Sequence, residues 1–335
     1  MENKTFKILS IDGGGIKGLY SALIIQQLEE QYGPISDYFD MICGTSTGGL
    51  IAMGLSIKKP SSEIVKFYNE EGPKIFTKNR FYSRLYRTLK QTLFFGKYNN
   101  AKLKRAFIQM FEDLTLGHAH TLLCIPSFNL TKGMPRMFKY PHKEGKFHMD
   151  RDIKMVDVGL ATSAAPTFFP IAKIGDAHYI DGGVWCNNPS FVGLLEALEH
   201  FVGPGKNYST YSILSISSIN KPSGWNTNIR QNKSFIGWRD KIIQTSLNGQ
   251  SFFTEFLMEK LVKYTNPPGY YFRIPSPVLS VQQSQEIEMD IASKNAISLL
   301  NHLGKSTGAQ YRIKTEIETF FKTYKTYKTQ EDGKL

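Results

Sequence analysis

Two glycine-rich turns within the first fifty residues, each set between a strand-like and a helix-like segment, constrain this chain more than any other feature. The first, Asp12-Gly13-Gly14-Gly15-Ile16-Lys17-Gly18, follows the apolar run Phe6 to Ile11 and precedes Leu19 to Leu28. The second, Gly44-Thr45-Ser46-Thr47-Gly48, follows Phe39 to Cys43 and precedes Leu50 to Leu55. Short apolar runs read as buried strands, and longer runs with helical spacing read as helices. Strand, glycine turn and helix, repeated at once, is the opening of a parallel α/β sheet, because parallel neighbours need a crossover between them.

Further along, Ser61-Ser62-Glu63 is expected to start a helix running toward Glu71. Leu122 to Ser127 and Pro135 to Tyr140 read as strands joined across Lys132-Gly133, with more strands at Tyr179-Ile180 and Tyr211 to Ser217. From Phe235 to about Tyr264 the spacing of Phe252, Phe256, Leu257 and Leu261 is helical, and Pro267-Pro268-Gly269 ends it. The polar tail after Tyr324 is expected to fray. Without a linker, repeat or low-complexity tract, the 335 residues are expected to form a single domain. Its parts are a motif-bearing core over 6–217, an insert over 72–111 and a helical C-terminal part over 235–335.

Gly44-Thr45-Ser46-Thr47-Gly48 matches G-x-S-x-G, a strained strand-to-helix turn that lifts a nucleophilic serine clear of the sheet. Gly44 and Gly48 are needed there because the turn brings backbone segments too close for a Cβ. A helix start at Ser46 also aims free N–H groups and a positive dipole end at developing charge. A glycine-rich packing turn is the structural alternative.

Asp12 to Gly18 contains G-x-G-x-x-G, so a dinucleotide turn with Glu29 or Glu30 as its ribose-binding acid has to be weighed. That reading leaves the G-x-S-x-G idle. An acyl hydrolase uses both motifs, because the amides of Gly13, Gly14 and Gly15 can converge on an oxyanion. The serine also needs a proton acceptor. None of the seven histidines (His118, His120, His142, His148, His178, His200, His302) has loop context marking it as catalytic. Asp181, in Tyr179-Ile180-Asp181-Gly182-Gly183-Val184, ends an apolar strand at a tight turn, and burial would raise its low reference pKa toward that of a useful base. Taken alone, this segment reads first as a structural Asp-Gly-Gly turn.

Together the three motifs resemble the patatin-like phospholipase family. Asp12 to Gly18 is similar to its oxyanion loop, Gly44 to Gly48 to its nucleophile elbow and Asp181-Gly182-Gly183 to its dyad aspartate motif. Ala161-Thr162-Ser163-Ala164-Ala165-Pro166 resembles its small-residue helix, and Asn187-Asn188-Pro189 its segment after the dyad. The likeness spans roughly Phe6 to Ser217 and implies a three-layer α/β sandwich with a central, mostly parallel sheet flanked by helices. It implies that Ser46 attacks an acyl ester, that Asp181 takes the proton, and that the Gly13 to Gly15 amides, joined by Thr47 N–H, hold the oxyanion. Gly18, Gly44, Gly48, Gly182 and Gly183 are the motif glycines; no metal or organic cofactor is implied. One departure is Ser217-Ser218-Ile219-Asn220, where many members carry a glycine-rich turn.

The net charge of +12 is concentrated: residues 72–111 hold ten basic and no acidic residues. Phe76, Phe81, Tyr82, Tyr86, Phe94, Phe95 and Tyr98 are interleaved there, a mixture suited to an anionic membrane boundary, to a lid over the site, or to an anionic ligand. Bacterial members resembling this chain act in anti-phage defence, switched on by a cyclic nucleotide to degrade the cell's own membrane. The expected partners are a phospholipid membrane surface and a cyclic-nucleotide activator, with a homo-oligomer compatible; no nucleic-acid polymer is expected, since no recognised module accompanies the patch. Three spaced cysteines suggest neither disulfides nor a zinc cluster, and the N-terminus lacks the apolar core of a secretory signal. The expected location is cytoplasmic, peripheral at the inner face of the membrane. The alternative reading is a non-catalytic nucleotide- or membrane-binding module on a hydrolase-like scaffold.

Overall fold

The computed structural model describes residues 4–76, 98, 100–142, 149–220, 232, 238 and 240–332. In chain order the elements are β1 (Thr5–Ile11), α1 (Gly18–Tyr32), β2 (Met41–Gly44), α2 (Thr47–Ser56), α3 (Ser61–Ile75), α4 (Asn100–Phe111), β3 (Leu122–Asn129), β4 (Met134–Lys139), α5 (Met155–Thr162), β5 (Ala172–Ile174), β6 (Ala177–Asp181), α6 (Gly183–Cys186), α7 (Ser190–His200), β7 (Thr210–Ile216), α8 (Asp240–Leu261), β8 (Tyr270–Ile274), α9 (Val281–Glu286), α10 (Lys294–Arg312) and α11 (Thr315–Phe321).

Five strands run parallel in the order β3-β2-β1-β7-β8, as the two glycine-turn crossovers require. Central β1 is covered on both faces: Phe6, Ile8, Leu9 and Ile11 are fully buried, the continuous apolar run expected of an inner parallel strand. Helices α1, α2, α3, α5 and α10 pack as one group, while α7 and α8 form another, with α7 lying against β1, β2 and β7. The sheet is thus flanked by helices. Helix α10 lies close on α1 because a Cβ at Gly304 would meet Leu23 Cβ at 2.7 Å and one at Gly308 would meet Gln27 Cβ at 2.7 Å.

Three strands joined by antiparallel pairing complete the sheet, β4 and β6 against β3 and β5 against β6. The hairpin strand β4 runs along one edge of β3 from Cys124 to Asn129. The other edge is shared: β2 pairs with Leu122 to Cys124, and beyond its end β6 pairs with Ser127 to Asn129 in the opposite direction. Two strands therefore meet nearly end to end along β3, each presenting its C-terminus to the other.

Two expectations are revised. The tail after Tyr324 does not fray: Thr326 and Tyr327 N–H groups donate to Asp40 Oδ1 at 2.9 and 2.8 Å, and Lys325 Nζ donates to Asp332 Oδ2 at 2.7 Å. Part of its polarity serves this network, while Thr326, Lys328 and Gln330 remain exposed. Helix α3 passes Glu71 and continues through Pro73 to Ile75. Most of the 72–111 insert, including Lys78, Arg80, Arg84, Arg87, Lys90 and Lys97, lies outside the described residues. Its two described flanks converge, with the Phe76 and Tyr98 ring centroids 5.7 Å apart and Phe169 against both.

Candidate active site

The site forms where β2 and β6 abut. Past Gly44 the chain turns sharply at Ser46, whose φ of 54° and ψ of −121° lie where a residue with a Cβ is strained. The flanking glycines permit the turn. A Cβ at Gly44 would stand 2.1 Å from Gly48 O, and one at Gly48 would stand 2.3 Å from Ile11 O. Replacing either would push strand and helix apart.

From the opposing strand end, Asp181 accepts a hydrogen bond from Ser46 Oγ to Oδ2 at 2.8 Å, and one from Gly183 N–H to Oδ1 at 2.7 Å. Both dyad side chains are buried, at 7% and 6% exposure. Burial pushes the Asp181 carboxyl up to about 6, against the smaller downward pull of the Gly183 and Ser46 donors. It is therefore ionised at neutral pH yet close enough to the working pH to accept a proton.

Thr162, at the end of α5, ties the two partners together, a role that its place in a small-residue segment did not disclose. Its Oγ1 accepts from Ser46 N–H at 3.0 Å and donates to Pro126 O at 2.6 Å. The same helix end accepts Asp181 N–H at Ala164 O (3.1 Å) and Gly182 N–H at Thr162 O (3.3 Å). One backbone bend thus fixes the nucleophile amide and the aspartate strand at once.

The glycine loop divides into two roles. Gly13 N–H donates to Asn187 O at 3.0 Å, and a Cβ at Gly13 would stand 2.6 Å from Asn187 Oδ1, so Gly13 seats the loop against the segment after the dyad. Gly14, Gly15 and Thr47 N–H groups have no hydrogen bond to the described residues. Asp12 anchors the loop from behind through the Arg273 guanidinium, with contacts of 3.2 and 2.5 Å, and Glu255 Oε2 lies 3.2 Å from Arg273 Nε. Glu29, weighed as a ribose ligand, is instead occupied with Ile35 N–H at 3.1 Å and Ser61 N–H at 2.8 Å. Glu30 Oε2 lies 3.5 Å from Arg312.

Ser46, Thr47, Asp181 and Gly15 line an open cleft of about 640 Å³. Its other walls are Leu50, Phe67, Tyr68, Ile75, Phe76, Leu103, Phe107, Phe168 and Phe169, a lining suited to hydrocarbon. No described histidine lines it. Gly18 packs its α-carbon against the Tyr68 ring, whose hydroxyl donates to Thr47 O at 3.0 Å. A Cβ at Gly182 would collide with Pro126 O at 2.2 Å, and one at Gly183 would stand 2.9 Å from Leu247. The arrangement can activate a serine hydroxyl, receive an oxyanion and hold an acyl chain.

The sequence profile described as patatin-like phospholipase matches residues 9–192, which include both glycine turns and the dyad turn. A cGAMP-activated phospholipase of Pseudomonas aeruginosa is 30% identical over 301 residues, covering 90% of this chain and 87% of that protein. Another cGAMP-activated phospholipase, from Vibrio cholerae, is 28% identical over 340 residues and covers 94% of each chain. Patatin-like protein 2 of Arabidopsis thaliana is 29% identical over 338 residues, covering 89% of this chain and 81% of its own length.

Proposed function

The chain belongs to the patatin-like phospholipase family and is a lipid ester hydrolase, and from that premise we propose that it cleaves acyl esters of membrane glycerophospholipids through a Ser46–Asp181 dyad. The reading is carried by the 2.8 Å hydrogen bond from Ser46 Oγ to a buried carboxylate that shares its apolar cleft.

As Ser46 Oγ bonds to the ester carbon, its proton passes to Asp181 Oδ2 and the carbonyl π pair moves onto oxygen. The Gly14, Gly15 and Thr47 amides donate to that oxyanion. When the tetrahedral species collapses, the bond to the glycerol oxygen breaks and Asp181 returns the proton to it, leaving an acyl-Ser46. Water then attacks the acyl carbon, giving a proton to Asp181, and the fatty acid leaves as Ser46 regains its hydrogen. The Gly13 N–H keeps its bond to Asn187 O throughout.

Among the described residues no helix is long and apolar enough to cross a membrane. Access to lipid from the inner membrane face, with the basic residues of 72–111 meeting anionic headgroups, fits this charge pattern. The names of the relatives support a cyclic-nucleotide activator, and the family resemblance supports a role in anti-phage defence. Hydrolysis of phosphatidylglycerol–phosphatidylethanolamine vesicles, with and without cyclic dinucleotides, tests the whole reading. Wild type should release fatty acid faster with nucleotide, and Ser46→Ala should lose about 10⁴-fold or more. Equal rates for Ser46→Ala and wild type would overturn the mechanism, and equal rates with and without nucleotide would overturn the activation.

A further inference from the structure

The glycine loop is a wall between two clefts, and the chemistry above uses only one. Behind Gly13 and Gly14 lies a second cleft of about 450 Å³, more polar than the first, with Leu247, Ile287 and Met289 as its apolar share. Lys17, Asn220, Gln244, Asn248 and Glu288 line it. Here the departure from the family's glycine-rich turn acquires a use. Ile219 O accepts from Lys17 Nζ at 2.7 Å, and Ser276 Oγ accepts from Asn220 N–H at 2.8 Å, holding Asn220 in the wall. Across the cleft, Gln244 Nε2 donates to Glu288 Oε2 at 3.3 Å.

This lining selects a ligand class. An ammonium beside glycine backbone suits a phosphate. Three carboxamides offer paired donors and acceptors, the pattern that matches the edge of a nucleobase. A carboxylate only accepts, and so favours a base that presents donors, as guanine does at its N2 amino group.

The cleft is also wired to the catalytic side. Residues 287–290 form a strap over the glycine loop: Met289 lines both clefts, and Met289 O accepts from Ile16 N–H at 2.9 Å. At Gly15, where φ is +61°, a Cβ would stand 2.2 Å from Met289 O, so strap and loop are in direct backbone contact. Asp290, the next residue, lines the catalytic cleft and accepts from the Tyr98 hydroxyl at 2.9 Å.

We propose that this polar cleft is the receptor site for a guanine-containing cyclic dinucleotide, and that the bound ligand, through the strap at 287–290, fixes the Gly14 and Gly15 amides toward Ser46. The proposal rests on the activation reading and assigns it a place. The phosphate of a lipid headgroup shares part of this chemistry, so the experiment includes both sources.

Calorimetric titration of the full-length protein with cGAMP, cyclic di-GMP, cyclic di-AMP and glycerol 3-phosphate is the test. Wild type should bind the guanine-containing nucleotides, and Gln244→Leu and Asn248→Leu should each weaken them about tenfold or more, with circular-dichroism melting midpoints unchanged. Glu288→Gln should weaken cyclic di-GMP more than cyclic di-AMP, a change in preference that misfolding does not produce. Nucleotide binding that all three variants retain at full strength would overturn the site while leaving activation standing. Failure of wild type to bind any of the three would overturn both. Glycerol 3-phosphate binding that Gln244→Leu abolishes, with nucleotide affinity untouched, would give the cleft to the lipid headgroup and overturn the proposal.

Discussion

Two buried aspartates at opposite ends of the central sheet contrast a scaffold carboxylate with one placed, in the proposed dyad, to act as a base. Asp40, just before β2, accepts from Lys7 N–H at 2.8 Å, from Thr326 and Tyr327 N–H at 2.9 and 2.8 Å, and from the Tyr208 hydroxyl at 3.3 Å. Asp181, beyond the other end of β2, has one backbone donor and one serine hydroxyl. Burial pushes both carboxyls upward. What differs is the donor set. Asp40 is saturated by amides that only the fold brings together, so it fastens the tail and β1. Asp181 keeps a partner whose proton can be given away.

The largest effect that would separate the two is Asp181→Asn. Hydrolysis should fall by about 10²–10⁴-fold. Stability should move the other way. The folded carboxyl titrates near 6 against an ordinary 3.8, so wild type loses stability as pH rises from about 4 through 6. Urea denaturation should therefore show Asp181→Asn equal to wild type below pH 4, then more stable, by about 3 kcal/mol at most above pH 6. A variant less stable than wild type at pH 8 would make Asp181 a structural residue like Asp40.

Asp40→Ala is the converse. It strands one buried and two part-buried N–H groups and should cost about 3 kcal/mol by denaturant titration, while the folded fraction keeps its kcat. The pH profile comes next. As Asp181 must be ionised to act, kcat/KM should climb about tenfold per pH unit below about 6 and level off above it; a flat profile between pH 4 and 6 would remove it as the base. Smallest is Thr162→Val, which deprives Ser46 N–H of its acceptor. Loss of about 1–2 kcal/mol of transition-state stabilisation is expected, seen in kcat with KM little changed.

The turns that carry Ser46 and Asp181 were legible because they are written locally. Gly44 and Gly48 stand where any Cβ would strike backbone, and Gly182 where it would strike Pro126 O, so chemistry and sterics leave the same residues in the sequence. Four of the five parallel strands were legible for the same reason, through crossover helices and unbroken apolar runs; β8, a half-exposed edge strand after Pro267-Pro268-Gly269, was not. Thr162 was not, because its function comes from a contact 116 residues away and nothing in an Ala-Thr-Ser-Ala stretch announces which hydroxyl will turn inward. The commitment of Gly13 N–H to Asn187 O was hidden likewise: three adjacent glycines look equivalent until a neighbour claims one amide. The tail misled for a physical reason, since polar residues satisfied by a buried carboxylate look in sequence like polar residues satisfied by water.

The end-to-end meeting of β2 and β6 along β3 has a consequence in time. Ser46 and Asp181 are 135 residues apart in the chain, and translation at about 5–20 residues per second separates their appearance by on the order of ten seconds. During that interval Ser46 has no carboxylate partner, and for the first 116 residues of it no Thr162 hydroxyl to accept its N–H. Until Asp181 has emerged and β6 has docked along β3, the Ser46 hydroxyl thus lacks the carboxylate that the proposed dyad requires, and the proposed activity waits on an antiparallel strand made long after its parallel neighbours β1 and β2.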